Sequence, residues 1–413
     1  MMVVSDVSRA LEWLRDGGAM NGGGQQSRKC RFGYPVAIQR HGVAMGFAIF
    51  IFCAVCTGGW AETSGPAGSS LQGAVKWHPG HYYALMNFMR TNPRIMAQVY
   101  RELKATPALR GLQVRYEWPE LEPEEGRYDF TAIERVLAEL APQNKRLIML
   151  LELKSFKPQV LPVPSYMATE KYEGGAFPFS SFGKDVPRGN NLKLWNPAVR
   201  DRLVALIREL GQRFNGHVYF EGIGLPETAM GQPLVPVSTR DLERQYDHLL
   251  SVQRAMRGAF PNTMTYQLVN YPREILPSFV GQMRTIGTAL GGPDVFIDDP
   301  GLNYDHPHKP KGVYHFYAPL SGVVPLTPSV MQSNYENTQH DGKGRVPTIP
   351  ELFSFARERL RANYIFWTRA QNYSPKVLEF MNGLPAADGP ARGLNPTCPQ
   401  GLRVLCGVGA GGQ

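Results

Sequence analysis

The feature that most constrains the fold of this chain is an alternation of short apolar runs with amphipathic segments, repeated eight times between residues 77 and 384. Segments whose apolar residues recur at spacings of three and four predict helices, and the short β-branched runs between them predict strands. Eight such units are typical of a (β/α)₈ TIM barrel. The predicted strands are 81–86, 112–116, 146–151, 217–225, 263–269, 294–298, 328–333 and 363–368.

Local signals support the helices between these strands. Residues 198–214 place a continuous apolar face along one side of a helix, and that face needs a sheet to cover it. Ser238 and Thr348, each followed three residues later by an acid, predict two further helix starts. An open doubly wound sheet is the alternative architecture. The chain shows no Gly-x-Gly-x-x-Gly after its first strand and no phosphate loop, which favours the barrel.

One connection is much longer than the others. The third and fourth predicted strands start about 71 residues apart, and residues 154–194 between them carry Pro, Gly and aromatic residues without helical periodicity. Such connections are usually functional loops or disordered segments. The rings of Tyr166, Tyr172, Phe177 and Phe179 favour a lid, so we expect a long β3–α3 loop insertion over the barrel mouth.

The N-terminal segment is typical of an export signal. Four basic residues between positions 28 and 40 precede an apolar run, 43–56, and the small residues Gly59 and Ala61 follow. This order predicts that residues 1–61 hold a signal peptide cleaved near Ala61, and that the protein is periplasmic or extracellular. The apolar run is shorter than the ~20 residues of a membrane-spanning helix, so membrane contact is expected only through an uncleaved segment. Residues 62–76 have the composition of a linker.

Cysteine and charge content agree with this organisation. Three of the five cysteines precede residue 62, which leaves Cys398 and Cys406 in a Gly/Pro-rich tail, 385–413. In an oxidising compartment we expect them to form a disulfide, with two free thiols as the alternative. The net charge of +9 includes no basic run in the body of the chain, so no nucleic-acid partner is expected.

Charged and aromatic residues collect where the predicted strands end. Working residues of such barrels lie at these carboxyl ends. Paired carboxyl groups with aromatic rings suit the cleavage of glycosidic bonds. The chain has no Gly-x-Ser-x-Gly, His-Glu-x-x-His or Walker motif, which disfavours other hydrolytic chemistry. The collected residues are Arg115, Glu117, Trp118, Glu152, Lys154, Glu221, Glu227, Asp298, Asp299, Glu336, Trp367 and Arg369.

Two stretches carry a resemblance to a known group of enzymes. Residues 115–130 (RYEWPELEPEEGRYDF) and 194–201 (LWNPAVRD) resemble the second strand with its loop, and the segment before strand four, of clan A glycoside hydrolases. Within that clan, the family 42 β-galactosidases and family 5 cellulases are the most similar. The resemblance covers about residues 77–384 and implies an enzyme that hydrolyses O-glycosyl bonds of a poly- or oligosaccharide without a cofactor or a metal.

The resemblance also implies roles for particular residues. An acid/base glutamate at the end of strand four corresponds to Glu227, although Pro226 stands where the clan has Asn, and a nucleophile after strand seven corresponds to Glu336. Arg115 takes the place of the arginine that supports the nucleophile, and Trp367 that of the sugar platform. A retaining mechanism follows, in which Glu227 protonates the leaving oxygen and Glu336 attacks. The remaining expected substrate contacts are Trp118, Glu152, Arg369 and Asp299.

Several alternatives stay open at this point. Glu227 fits a helix cap, Glu336 fits a solvated surface acid, and in the latter case Asp299 would act as the base of an inverting pair. Both tryptophans suit simple packing at the barrel rim. A carbohydrate-binding barrel without catalysis is a second functional hypothesis. A third is a metal-assisted hydrolase that uses Asp298, Asp299, His306 and His308.

Overall fold

The computed structural model describes residues 75–181 and 183–402, and they form a closed barrel of eight parallel strands. Each strand pairs with its neighbours in chain order, and the first pairs with the last. The expected (β/α)₈ barrel is therefore confirmed. Its strands are β1 Gly80–Leu85, β2 Leu109–Glu117, β3 Arg146–Glu152, β4 Phe220–Leu225, β5 Met264–Leu268, β6 Ala289–Gly292, β7 Leu326–Val330 and β8 Tyr364–Thr368.

A helix follows each strand and covers the outside of the barrel. The two predicted helix starts are confirmed, because Ser238 Oγ accepts from the Asp241 amide and Thr348 Oγ1 accepts from the Glu351 amide. Short helices Asn87–Arg90, Trp118–Leu121 and Gln332–Glu336 lie in the loops. The covering helices are α1 Pro93–Ala105, α2 Thr131–Leu140, α3 Pro197–Phe214, α4 Thr239–Ala259, α5 Leu276–Ile286, α6 Tyr317–Leu320, α7 Ile349–Ser354 and α8 Ser374–Gly383.

The position predicted for strand six is wrong. The strand was expected at 294–298, but β6 is the small-residue segment Ala289–Gly292. A Cβ at Gly291 would lie 2.8 Å from Leu268 Cδ2 and 2.9 Å from Thr327 Oγ1, so this position has no room for one of the β-branched or aromatic side chains that mark a strand in sequence. Asp294 consequently follows the carboxyl end of β6.

The barrel interior is filled by side chains from alternate strand positions. Tyr82, Ile148, Leu150, Tyr266 and Phe366 belong to one inner cluster of buried residues. A Cβ at Gly224 would collide with the Tyr266 ring, which occupies that space. The interior is thus a packed core, and a substrate site is restricted to the mouth.

A buried charge cluster closes the amino-terminal end of the barrel, here called the barrel bottom. Glu221, near the start of β4, is fully buried and accepts hydrogen bonds from the His78 amide (2.7 Å) and Tyr364 Oη (2.9 Å). His78 Nδ1 lies 2.8 Å from the same carboxyl group. Burial acts to raise the pKa of Glu221, but His78 and Arg146 outweigh it and lower that pKa to about 2. The structure thus corrects the placement of Glu221 at the mouth.

The segment after α8 also packs under the barrel bottom. The Asn395 amide donates to Ala362 O at 3.1 Å, and Trp77 Nε1 donates to Pro396 O at 2.8 Å. Cys406, the predicted partner of Cys398, lies outside the described residues, as do the predicted signal peptide and most of the linker. Across the ranges given above, none of the helices has the length and apolar content that crossing a bilayer requires.

The long β3–α3 loop carries a small sheet of its own. Its antiparallel strands are Lys154–Ser155, Ala176–Ser180 and Gly189–Leu192, and Gln232–Pro233 of the following loop adds a fourth. Phe177 and Phe179 are buried beneath it. We call residues 154–193 the insertion; it is a packed element that begins beside the end of β3.

Candidate active site

Arg115 and Glu152 meet at the mouth of the barrel. Both lie on inward-facing positions: Arg115 is two residues beyond Gln113, which donates to the interior Tyr266 Oη at 3.0 Å, and Glu152 is two residues beyond the interior Leu150. Arg115 Nη1 lies 2.9 Å from Glu152 Oε1. The structure therefore brings together these two residues selected from the sequence.

Glu227 follows β4 and is held by two side-chain donors. Lys154 Nζ lies 2.5 Å from Glu227 Oε1, and Asn270 Nδ2 donates to Oε2 at 3.0 Å. The orientation of Asn270 is fixed because its Oδ1 accepts from the amides of Ala229 (3.1 Å) and Tyr271 (2.8 Å). Both partners of Glu227 are side chains rather than helix amides, which argues against the capping role. Its carboxylate has a fixed position at the mouth.

Asp294 is a candidate that the sequence analysis missed. It lies just beyond β6, and its Oδ1 accepts from Asn334 Nδ2 at 3.3 Å. The buried Asn334 Oδ1 accepts from the amides of Val295 (3.0 Å) and Met331 (2.7 Å). The amide of Asn334 can therefore present only its N–H side to Asp294. An acidic residue directly after a strand would have identified Asp294 in the sequence. The predicted strand six, 294–298, included this residue and so hid that signal.

The surroundings of Asp294 favour its protonated form. Its pKa is raised to about 7, first by burial and then by the negative charges of Glu227 and Asp299. The hydrogen bond from Asn334 and the positive charge of Arg115 lower this pKa by less. A carboxyl group with this pKa carries a proton in about half of the molecules at pH 7. Asp294 is thus suited to donate a proton near neutral pH.

Glu336, the expected nucleophile, is not part of this arrangement. It ends the short helix Gln332–Glu336, is exposed, and accepts a hydrogen bond from Gln332 Nε2 at 2.9 Å. Asn334 points from the same helix to Asp294, and residues two positions apart on a helix do not share a face. Over residues 75–181 and 183–402, no hydrogen bond or ion pair joins Glu336 to a residue at the barrel mouth. Those residues are Arg115, Glu152, Glu227 and Asp294. The structure corrects its assignment to that of a surface acid.

Asp299 is a structural residue rather than a base. Its Oδ1 accepts from the amides of Gly301 (2.9 Å) and Leu302 (2.8 Å), and its Oδ2 accepts from the His340 amide at 3.1 Å. The side chain is buried, and both oxygens fix the loop after β6. The prediction that Asp299 binds the substrate is therefore wrong, because both of its oxygens already accept hydrogen bonds from backbone amides.

The residues of the metal hypothesis do not form a metal site. His306 and His308 are exposed, with ring centroids 6.1 Å apart. Among the residues that the structure describes, no three His, Cys, Asp or Glu side chains are arranged to hold an ion. Metal-assisted hydrolysis therefore has no support from the geometry of Asp298, Asp299 and these histidines.

Trp367 faces away from the barrel mouth. On β8 the interior Tyr364 and Phe366 alternate with outward residues, so Trp367 packs under the covering helices and is fully buried. Its Nε1 donates to His81 Nδ1 at 3.0 Å. Burial lowers the pKa of His81 to about 4, which keeps the ring neutral and this nitrogen available as an acceptor. The expected sugar platform is therefore a packing residue.

Trp118 and Arg369, both predicted to contact the substrate, also face away from the barrel mouth. Trp118 is fully buried outside the barrel and donates from Nε1 to Glu122 Oε2 at 2.8 Å. Arg369 makes two hydrogen bonds of 3.0 Å to Glu102 on α1. Glu122 also pairs with Arg202 of α3, so the motif that carries the resemblance serves to fasten the β2 loop. Neither Trp118 nor Arg369 reaches the mouth.

We expect Trp367→Phe to lower stability while leaving the substrate affinity unchanged. The substitution removes the indole donor and leaves the buried His81 Nδ1 without a partner, which costs about 1–3 kcal/mol. Urea unfolding measures the loss, and KM on an active substrate measures the affinity. A large rise in KM at unchanged stability would restore the platform role.

Comparisons with known proteins assign no family to this chain. No known protein-family profile matches the chain, and no curated protein matches its sequence. Its structure is similar to the catalytic domain of β-amylase from Paenibacillus polymyxa (8% identity, TM-score 0.49, 78% of this chain and 97% of that chain). It is also similar to β-galactosidase from Bacillus circulans sp. alkalophilus (12%, 0.47, 71% of this chain and 50% of that chain). Likenesses at such identities do not assign an activity.

Proposed function

We propose that this protein is a glycoside hydrolase that cleaves O-glycosyl bonds of a poly- or oligosaccharide, with Asp294 as proton donor and Glu227 as the second carboxyl group. The observation that carries the proposal is the pair of carboxyl groups at one barrel mouth in contrasting surroundings. Glu227 is held by Lys154 at 2.5 Å, whereas Asp294 is held by a neutral amide. Two carboxyl groups with separated protonation states are what glycosidic cleavage requires.

The proposed reaction uses each group once per step. Asp294 gives its proton to the glycosidic oxygen as the bond to the anomeric carbon breaks, and the Glu227 carboxylate attacks that carbon. Water then displaces Glu227, and Asp294 takes the proton from that water, so both groups return to their starting states. The product retains its anomeric configuration. Nuclear magnetic resonance of the first product tests this route, since an inverted anomer would mean that Glu227 activates water directly.

Arg115 and Glu152 belong to the same proposal as binding residues. Their ion pair lies at the mouth, and Arg115 is close enough to lower the pKa of Asp294. Guanidinium and carboxylate groups hydrogen-bond the hydroxyls of a sugar ring. We propose that this pair positions the sugar whose bond is cleaved. Export through removal of residues 1–61 remains part of the proposal as well.

The decisive experiment compares two glutamate-to-glutamine variants on a panel of bacterial and plant polysaccharides, using protein that lacks residues 1–61. We expect Glu227→Gln to lower kcat by at least about 10²-fold, because the amide cannot act as a nucleophile or base. Glu336→Gln is the matched control, with the same chemical change at an exposed acid, and should leave kcat unchanged. Equal losses in both variants would contradict the assignment.

A non-catalytic carbohydrate-binding barrel is the second candidate. It is favoured by Pro226 at the position of the clan's asparagine, and by the close ion pair that neutralises Glu227. This hypothesis requires that the wild-type protein hydrolyses none of the sugars it binds, and that Glu227→Gln leaves their affinity unchanged. Reducing-end assays combined with binding measurements therefore separate the two functions.

A further inference from the structure

The insertion carries an exposed aromatic ring close to the proposed catalytic carboxylate. Phe156 is 50% exposed and follows the strand that contains Lys154. Lys154 Nζ lies 4.8 Å from the centroid of this ring and 2.5 Å from Glu227 Oε1. The Lys154 side chain thus lies between the ring and the proposed reaction centre. The surface around Phe156 therefore adjoins the barrel mouth.

Besides Lys154, which pairs with Glu227, two further cations lie close to this ring in space or in sequence. Arg188 Cζ lies 5.5 Å from the Phe156 centroid, and Lys157 follows Phe156 directly. Both side chains are exposed, and in the part of the chain that the structure describes neither forms an ion pair. Lys171, in the same insertion, pairs with Glu125 at 3.2 Å. Among the described residues, no ion pair thus competes with an anionic ligand for Arg188 or Lys157.

The backbone holds these groups in place. The Arg188 amide donates to Phe179 O at 2.8 Å, and Arg188 Nη1 donates to Ser181 Oγ at 2.9 Å. A Cβ at Gly189 would collide with Ser155 O, so the two chain segments that carry Arg188 and Phe156 are in direct contact. The positive charges of Arg188 and Lys157 repel each other, and an anion bound between them would remove this repulsion.

We propose that Phe156, Lys157 and Arg188 form a subsite for a sugar that bears a carboxylate, and that the substrate is accordingly a uronic-acid-containing polysaccharide. The apolar face of the sugar packs on Phe156, and its carboxylate pairs with Arg188 and Lys157. Arginine binds carboxylates in a bidentate manner, which gives the subsite its preference for this group. This inference rests on the proposed function for its position next to the cleaved bond, but it is tested by binding alone.

The test measures the affinity of the full-length protein for polygalacturonate and alginate, and for the same polymers after reduction of their carboxyl groups. We expect at least one acidic polymer to bind about tenfold more tightly than its neutral counterpart, and rising salt to weaken this binding. Dextran sulfate tests whether any anion suffices. Equal binding of acidic and reduced polymers, or equal binding of dextran sulfate, would overturn the proposal.

A double variant, Lys157→Gln with Arg188→Gln, should lose the preference for the acidic polymer. The matched control is Lys104→Gln with Arg208→Gln, since both are exposed cations on helices outside the insertion. Equal losses in both variants would show a non-specific charge effect and overturn the subsite. Thermal unfolding checks that each variant is folded.

The outcomes also separate this inference from the proposed hydrolysis. Acidic-polymer binding that depends on Arg188, without any cleavage, would support the subsite and contradict the hydrolase. Cleavage of neutral polymers alone, unchanged in the double variant, would support the hydrolase and overturn the subsite.

Discussion

Asp294→Asn is expected to lower kcat by about 10³- to 10⁴-fold, the upper part of the range for loss of a general acid. Asparagine keeps the shape of the side chain but has no proton to give to the departing sugar oxygen. In the wild type, kcat should fall as the pH rises through about 7, because Asp294 then loses its proton. A pH–rate profile of both proteins checks this, and the variant's residual activity should lack that decline.

The same substitution is expected to stabilise the fold above pH 7. The native carboxyl group keeps its proton up to about pH 7, whereas the unfolded one releases it near 3.8. Its contribution to the free energy of unfolding is therefore greatest below pH 3.8 and is lost as the pH rises to 7. A shift of this size corresponds to at most about 4 kcal/mol.

We therefore expect Asp294→Asn to unfold at a higher urea concentration than the wild type at pH 8, with an advantage that shrinks towards pH 4. Asp298→Asn, at an exposed neighbour, is the control and should change neither activity nor stability. Full activity of the Asp294 variant would remove Asp294 from the mechanism. A lower stability at pH 8 would contradict the desolvation that raises its pKa.

Glu221→Gln is expected to lower the free energy of unfolding by about 3–5 kcal/mol, the usual cost of removing one partner from a buried ion pair. Glutamine has the same size but leaves Arg146, whose Nε lies 3.7 Å from the Glu221 carboxyl group, without its counter-charge. The native stability due to Glu221 is present above pH 4.5 and is lost as the pH falls towards about 2. Urea unfolding at pH 7 measures the change.

Glu139→Gln provides the control, because Glu139 is exposed on α2 and the effect there should stay within about 0.5 kcal/mol. The Glu221 variant should keep the wild-type kcat per folded molecule, since Glu221 lies at the opposite end of the barrel from Asp294. A loss below about 1 kcal/mol would mean that solvent reaches this cluster.

The architecture could be predicted because most strands fill the barrel with large apolar residues at alternate positions. β3 is an example, where Ile148 and Leu150 face inward while Leu147 and Met149 face the helices. β6 could not be found in this way. Leu268 and Thr327 of the neighbouring strands fill the space that a side chain at Gly291 would occupy. The strand consists of Ala, Leu and Gly and therefore carries no β-branched or aromatic signal.

The candidate site was predictable where a charged residue continues the inward face of a strand. Arg115 and Glu152 are such residues, and both lie at the mouth. Trp367 and Arg369 were misassigned because closeness to a strand end was considered without the alternation that points odd-numbered residues of β8 outward. Asn270 was missed because an uncharged amide gives little signal in a single sequence.

The closure of the barrel bottom by both ends of the described chain has a consequence for what the protein can be attached to. Trp77 and Pro396 meet there, on the side opposite Glu227 and Asp294. A partner joined directly at residue 77 or residue 396 would lie on the side away from incoming substrate. A form immobilised through either of these two positions should therefore process long polymers as freely as the dissolved one.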